Sequence, residues 1–436
     1  MSFFDDASLV MIPSGYKDQK VYSVKPIDGT GDLTFTRSND TATRVNSSGL
    51  IEKVRQNQYY KSTAFTTSSL FATYNVSPVS LGTYPVDSSS LGYSFSITGT
   101  NQGFIVQLPN DTNIRSVSVY LKDWNAVDLY WTGSAPITTI SDSGTINGYK
   151  RYVVVIPAGA NNLYFRPNSN SGTATTVYAT APQIENGDYP TAYIVNDTTA
   201  SVVSVGPVAN LPRLDYSGGA TCPSLLLEPQ RTNIALYSEQ FDNVSWLKYQ
   251  ATASANVAAA PDGTTSADLL LDTAFNDAHA FYRSVSGSAG TYTWSVFAKA
   301  QNNNFLIISA YTGAHNRTWF NLSNGTVGTN TSGNTAKIEN YGNGWYRCSV
   351  SRQYVSGSLI YEISTSKTDG VASYLGNGSD GTYLWGAMLE QGSHSTSYIN
   401  TLSAAVTRAQ DGAFKAGISS LIGQTEGVAF IDFVWN

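Results

Sequence analysis

The chain has 436 residues, only 13% of them charged, with 25 basic and 31 acidic side chains for a net charge of −6. An average soluble domain is roughly 25% charged, so long charged amphipathic helices are excluded for want of material, and the lack of a Lys/Arg stripe excludes a nucleic-acid groove. No apolar run approaches the roughly 20 residues of a membrane-spanning helix, so membrane insertion is not expected.

Polarity is supplied by Ser, Thr, Asn and Gly, which favours strands and turns. At this length about two to four domains are expected. The amino terminus, MSFFDDASLVMIPSG, is acidic where a signal peptide is basic, so cytoplasmic synthesis without a signal peptide is expected. Residues 1–57 read as short strands: Asp28-Gly29 and Gly31 make a turn before the alternating run Leu33-Thr34-Phe35-Thr36. Asn46 to Gly49 is a second turn, and a strand runs from Leu50 to Val54. Residues 58–206 read as a first β-sandwich, with strand-like runs at 116–124, 125–133 and 149–159 between turn residues. Residues 207–233 form a return segment, in which Leu225, Leu226 and Leu227 are expected as a buried strand ended by Pro229. Residues 234–400 read as a second sandwich. Residues 401–436 are expected to be a connector with one short helix, then a strand at VAFIDFVWN, the start of a further β domain. A lone strand is unstable, so it is expected to pair or to be followed by more chain. Cys222 and Cys348 lie far apart and read as two separate thiols before a disulfide.

Three blocks recur in the same order and divide the chain into two copies. Val117-Ser118-Val119-Tyr120-Leu121-Lys122 answers Trp294-Ser295-Val296-Phe297-Ala298-Lys299. Gly148-Tyr149-Lys150-Arg151 answers Gly344-Trp345-Tyr346-Arg347. In the third block Glu185 and Tyr193 answer Glu390 and Tyr398.

The motifs FTRSNDTATRVNSSGLIEKVRQN, PRLDYSGGATCPSLLLEPQRTNIALYSEQFDNVSW, GTYTWSVFAKA, GNGWYRCSV, LEQGSHSTSYI and VTRAQDGAFKAGISSLIGQTEGVAFIDF together resemble a family of tailed-bacteriophage virion proteins of the tail-fibre type. The resemblance covers most of residues 30–57 and 207–436. It implies jelly-roll domains like carbohydrate-binding modules, often followed by a concanavalin-like lectin domain. In that family VRQN runs almost directly into PRLDYSGG, so residues 58–206 read as an insertion. The expected fold is therefore all-β: two jelly-roll-like β-sandwiches in series and a small discontinuous β unit, 1–57 with 207–233, whose strands pair. The resemblance further implies a virion location, other virion proteins as partners, a homotrimer and a host surface glycan as ligand. A head-fibre or attachment protein without sugar binding is the alternative, and a polysaccharide depolymerase the second.

Catalytic patterns are absent. His279, His315 and His394 lack His or Cys partners at metal-binding spacing, and there is no G-x-S-x-G elbow. A glycosidase needs two facing carboxyl groups. Glu185 with Asp188 offers such a pair, but recurrence of Glu185 as Glu390 favours a structural role, paired to Arg151 or Arg347. No enzyme activity is expected. Aromatics make up 12% of the chain, with 28 Tyr. Trp124, Tyr130 and Trp131 in one copy, and Tyr311, His315 and Trp319 in the other, are the candidate ligand-binding residues. Sugar rings stack on such side chains, and the competing reading places them in the core or at subunit contacts. No cofactor is expected; Asp242, Asp262, Asp272 and Asp277 are candidate calcium ligands without the strict spacing of an EF-hand.

Overall fold

The computed structural model describes residues 3–13, 15–98, 102–109, 114–123, 127–131, 141–157, 159–167, 175–311, 313–355, 357–422, 425–426 and 428–433. The architecture is all-β; among the described residues helical turns occur only at Phe3–Asp6, Ser62–Thr67 and Ser217–Gly219. The chain forms two compact units, Arg55–Val205 and the pair Met1–Val54 with Gly206–Asn436.

In the unit Arg55–Val205, alternating side chains build two antiparallel sheets. One has six strands in the order Ser141–Ile146, Tyr149–Ile156, Arg115–Lys122, Thr175–Asn186, Tyr93–Ile97, Pro78–Ser80. The other has four, in the order Val127–Trp131, Asn162–Pro167, Gly103–Gln107, Phe71–Tyr74. Val117, Val119 and Leu121 alternate inward against a phenylalanine stack. Phe104 lies 4.5 Å from Phe165 and 4.8 Å from Phe95 between ring centroids; each such pair adds about 0.5–1.5 kcal/mol beyond area burial. The unit is closed at its ends, where Arg55–Asn57 pairs antiparallel with Val203–Val205.

The second sandwich repeats this topology. Its first sheet runs Thr335–Asn340, Tyr346–Tyr354, Gly290–Ala300, Gly381–Gln391, Ala267–Asp272, Ala251–Ala258, the same strand order position for position. Its other sheet keeps the order Phe305–Tyr311, Gly357–Ser366, His279–Gly287, Leu247–Tyr249 and adds the hairpin His315–Asn321 and Thr326–Asn330 at one edge. Trp246, Trp294 and Tyr361 pack at the centre, with Trp294 and Tyr361 3.9 Å apart. Here too the end strands meet: Arg231–Asn233 pairs with Val406–Arg408.

The repeat is therefore longer than its sequence blocks. Asn57 Nδ2 donates to the Ile194 carbonyl at 2.7 Å and its Oδ1 accepts Tyr59 N–H at 2.9 Å. Asn233 does the same with Ile399 and Ala235, at 2.8 and 3.0 Å. The second sandwich thus begins at Arg231, within the segment expected to belong to the small unit.

The short strands of the N-terminal segment also pair differently from expectation. Leu33–Thr36 takes Gly412–Phe414 as its outer partner, and the 207–233 segment reaches residues 37–45 through single bonds such as Asn210 N–H to the Arg37 carbonyl and Tyr216 N–H to the Val45 carbonyl. Residues 401–436 are more than a connector, since Val406–Arg408 and Gly412–Phe414 both join sheets. No helix occurs among the described residues of that tail, and the described residues 428–433 carry no strand. The leucine run is a short strand, Ser224–Leu225, and Leu227 is 49% exposed. The residue that turns inward next is Glu228.

Candidate functional site

The repeat-matched residues hold loops and strands together. Arg151 Nη2 donates to Ser118 Oγ at 2.8 Å, and Arg347 Nη2 to Ser295 Oγ at 3.1 Å. Each guanidinium also lies over the aromatic two residues further on, Tyr120 or Phe297. Glu185 accepts both the backbone N–H and the hydroxyl of Thr191, and Glu390 does so from Thr396 at 2.9 and 2.7 Å. The glutamates thus fasten a loop instead of pairing directly with Arg151 or Arg347. Burial pushes Glu390 up, against the pull of Thr396 and the arginines. Tyr193 donates its hydroxyl to Ser62 Oγ at 2.7 Å, and Tyr398 shares a hydrogen bond with the matched Ser238 Oγ at 2.7 Å. These side chains recur because the scaffold needs them.

The densest charged cluster has a similar role. Asp411 binds Arg37 at 3.1 Å and also Arg213. Glu228 binds Arg213 at 2.8 Å and Arg408 at 3.1 Å, and accepts Ser397 N–H and Oγ–H. Burial works to raise Glu228, but Arg408 and Arg213 outweigh it and bring it down to about 2. The cluster joins residues 37, 213, 228, 397 and 408–411 into one knot.

Of the aromatic candidates, Trp124 lies outside the described residues, and Tyr130 and Trp131 are described as backbone of the strand Val127–Trp131. Trp319 is corrected: it is 6% exposed, and its Nε1 donates to the Val371 carbonyl at 3.2 Å. The loop after Ser366 covers it, so Trp319 presents no free ring to a ligand.

Tyr311 and His315 do face solvent, as cross-strand partners with rings 5.1 Å apart. They belong to a larger surface on the outer face of their sheet. Leu306, Ile308, Tyr361 and Ile363 point into the core, so the residues between them point outward. Register places Tyr282 opposite Glu362, Glu362 opposite Ser309, and Ser309 opposite Arg317, in one row across four strands. Tyr311 and His315 form the adjacent row. Glu362 Oε2 lies 3.6 Å from His315 Nδ1, and its Oε1 accepts Ser364 Oγ–H at 2.9 Å. Glu362 stands two strands from Arg317, roughly 10 Å at strand spacing. Arg317 Nε is buried without a hydrogen-bond partner, and no ion pair reaches this guanidinium among the described residues. Sequence reading missed Tyr282, Arg317 and Glu362. The signal was present: in HNRTWFN the alternation puts His315, Arg317 and Trp319 on one face, but only their neighbours across the sheet give the face meaning.

The four aspartates considered for calcium are dispersed. Asp262 pairs with Lys53, Asp272 accepts N–H groups of Asn377 and Gly378, and Asp277 accepts the Tyr249 hydroxyl. Asp242 is exposed. Among the described residues no group of three or more His, Cys, Asp or Glu side chains is placed to hold a metal ion. Cys222 is exposed and Cys348 buried, both as free thiols. No helix among the described residues is long and apolar enough to cross a membrane.

No protein-family model and no curated protein matches the chain. Among solved structures it is similar to a CBM35 module of Cellvibrio japonicus Abf62, at 12% identity over 38% of this chain and 99% of that one, with a TM-score of 0.20. It is similar to tandem CBM51 modules of a family 98 glycoside hydrolase from Streptococcus pneumoniae, at 10% identity over 83% and 99%, with a TM-score of 0.19. A Pleurotus ostreatus lectin in complex with GalNAc gives 14% identity over 87% and 88%, with a TM-score of 0.17. At TM-scores of this size none of them bears on what this chain does.

Proposed function

We propose that this chain is a non-catalytic virion fibre component whose second sandwich binds an acidic glycan of the host surface on the sheet face of Tyr282, Tyr311, His315, Arg317 and Glu362. The virion assignment, and the trimeric state that goes with it, rest on the motif resemblance alone. The ligand assignment rests on one observation, the Arg317 guanidinium, whose buried Nε has no hydrogen-bond partner and which no carboxylate among the described residues pairs with. An arginine offers a planar fork suited to a carboxylate or phosphate. Tyr311 supplies an exposed ring for a sugar face, while Glu362 and His315 are within reach of hydroxyls.

Titration calorimetry of the full chain against acidic and neutral polysaccharides tests the reading. The acidic ligand is expected to bind, and Arg317→Gln to weaken it roughly 10- to 100-fold, the loss of a charged hydrogen bond. Tyr311→Ala is expected to weaken acidic and neutral ligands alike. Unchanged binding in both variants would remove this face from the account. A chain that binds no sugar at all would favour a purely structural attachment role.

A further inference from the structure

Three ionisable side chains meet inside the unit formed by Met1–Val54 and Gly206–Asn436, and neither the sheet face nor the arginine knot uses them. The strand Ile51–Lys53 docks on the turn at Pro261, with Ile51 N–H bonded to the Pro261 carbonyl at 3.0 Å. That contact carries Lys53 inward. Its Nζ lies 2.8 Å from Asp262 Oδ2, and 2.8 and 3.0 Å from the two oxygens of Glu239. The three side chains are 10%, 4% and 4% exposed. Trp385, itself fully buried, places its ring centroid 5.0 Å from Nζ, and Tyr398 donates its hydroxyl to Glu239 at 2.8 Å. Asp262 is held by its other oxygen, which accepts Thr264 N–H and Oγ–H at 3.0 and 2.6 Å.

We infer that Lys53 and Asp262 join in a self-made isopeptide bond, with Glu239 as the proton carrier. The Lys53 amine sits 2.8 Å from Asp262 Oδ2, and the carbon it would attack lies one C–O bond beyond that oxygen. Little movement therefore separates the pair from a near-attack geometry, and burial of the three side chains limits the water that would compete. Burial works to lower the Lys53 ammonium, but Asp262 and Glu239 outweigh it and hold it charged, so the reaction starts from the ion pair. One proton passes from Nζ through Glu239 to Asp262 Oδ2. The lone pair of the neutral amine attacks Cγ, forming the N–C bond. A second proton travels the same way to the departing oxygen, the Cγ–Oδ2 bond breaks, and water leaves. An ammonium and a carboxylate become an amide and water, with charge balanced and no oxidant or co-reactant. Two buried ions, each costly to desolvate, are replaced by a neutral group.

The other sandwich provides a contrast. Ser62 and Tyr193 match Ser238 and Tyr398, and Asp87 makes a similar turn, accepting N–H groups of Ser89 and Ser90. But Thr63, directly after Ser62, stands where Glu239 stands directly after Ser238. The fold does not require that carboxylate; it occurs in the copy that Lys53 enters.

Intact mass spectrometry of the denatured full chain is the test, with a protease digest to locate any link. The wild type is expected to be lighter than its sequence by one water, and to yield a branched peptide joining Lys53 to Asp262. Lys53→Arg and Glu239→Gln are expected at full mass, and Asp262→Asn to be lighter by one ammonia. A wild-type chain at full mass, cleaved by trypsin after Lys53, would overturn the inference, as would loss of water in Lys53→Arg. The wild-type measurement does not depend on any variant folding.

Discussion

Glu228 shows how far a residue's fate departs from its type. It follows three leucines and precedes Pro229, a context that reads as a surface turn, yet it is Leu227 that faces solvent. The carboxylate is drawn in because Arg213 and Arg408 are there to receive it, and no local pattern announces partners so distant in sequence. Glu228→Gln would leave buried guanidinium charge uncompensated, at a cost of about 3–5 kcal/mol, measurable by denaturant unfolding. The pH dependence follows from the sign of the shift. A carboxyl lowered from 4.5 to about 2 in the folded state contributes stability in full above pH 4.5 and loses it as pH falls through 2, about 3 kcal/mol in all. Unfolding free energies of the wild type and Glu228→Gln should therefore converge across that window. Trp319 is the second residue whose type misled: a tryptophan near a loop reads as a ligand platform, and a loop has closed over it. Trp319→Ala should cost about 3–5 kcal/mol, seen as a lower melting temperature, with no direct loss of ligand contact.

At the scale of strands, legibility tracked length and alternation. Gly290–Ala300 and Arg115–Lys122 are long, answer each other as repeat partners and were readable. Arg55–Asn57 and Arg231–Asn233 are three residues each, too short for any periodicity, although the shared asparagine does the same work in both. The pairing of Leu33–Thr36 with Gly412–Phe414 spans almost the whole chain, and nothing in either segment specifies the other. The sheet face was half legible for the same reason. Alternation within one strand selects His315 with Arg317, but the row that includes Tyr282 and Glu362 exists only once four strands are in register.

For the whole molecule, the informative fact is that two sandwiches with different side chains share one strand order and one way of closing their ends. Each sandwich begins and finishes in a pair of short strands, so each carries its own boundary. The chain leaves one unit at Val54 and returns to it at Gly206, where a Cβ on Gly206 would stand 2.6 Å from the Lys53 carbonyl oxygen. Excising residues 55–205 and joining the ends through a short glycine link should leave the remaining unit folded, with a cooperative melt and the same near-UV signal from Trp246 and Trp294. Loss of cooperative unfolding in that deletion would mean that the larger unit depends on the insert.

The abutment of Val54 and Gly206 has a consequence of its own. Exit and re-entry points this close act as a socket, into which any module with adjoining termini can be plugged without stretching the surrounding strands. Exchange of whole cassettes at that seam would let such a protein change what it presents while its frame stays untouched.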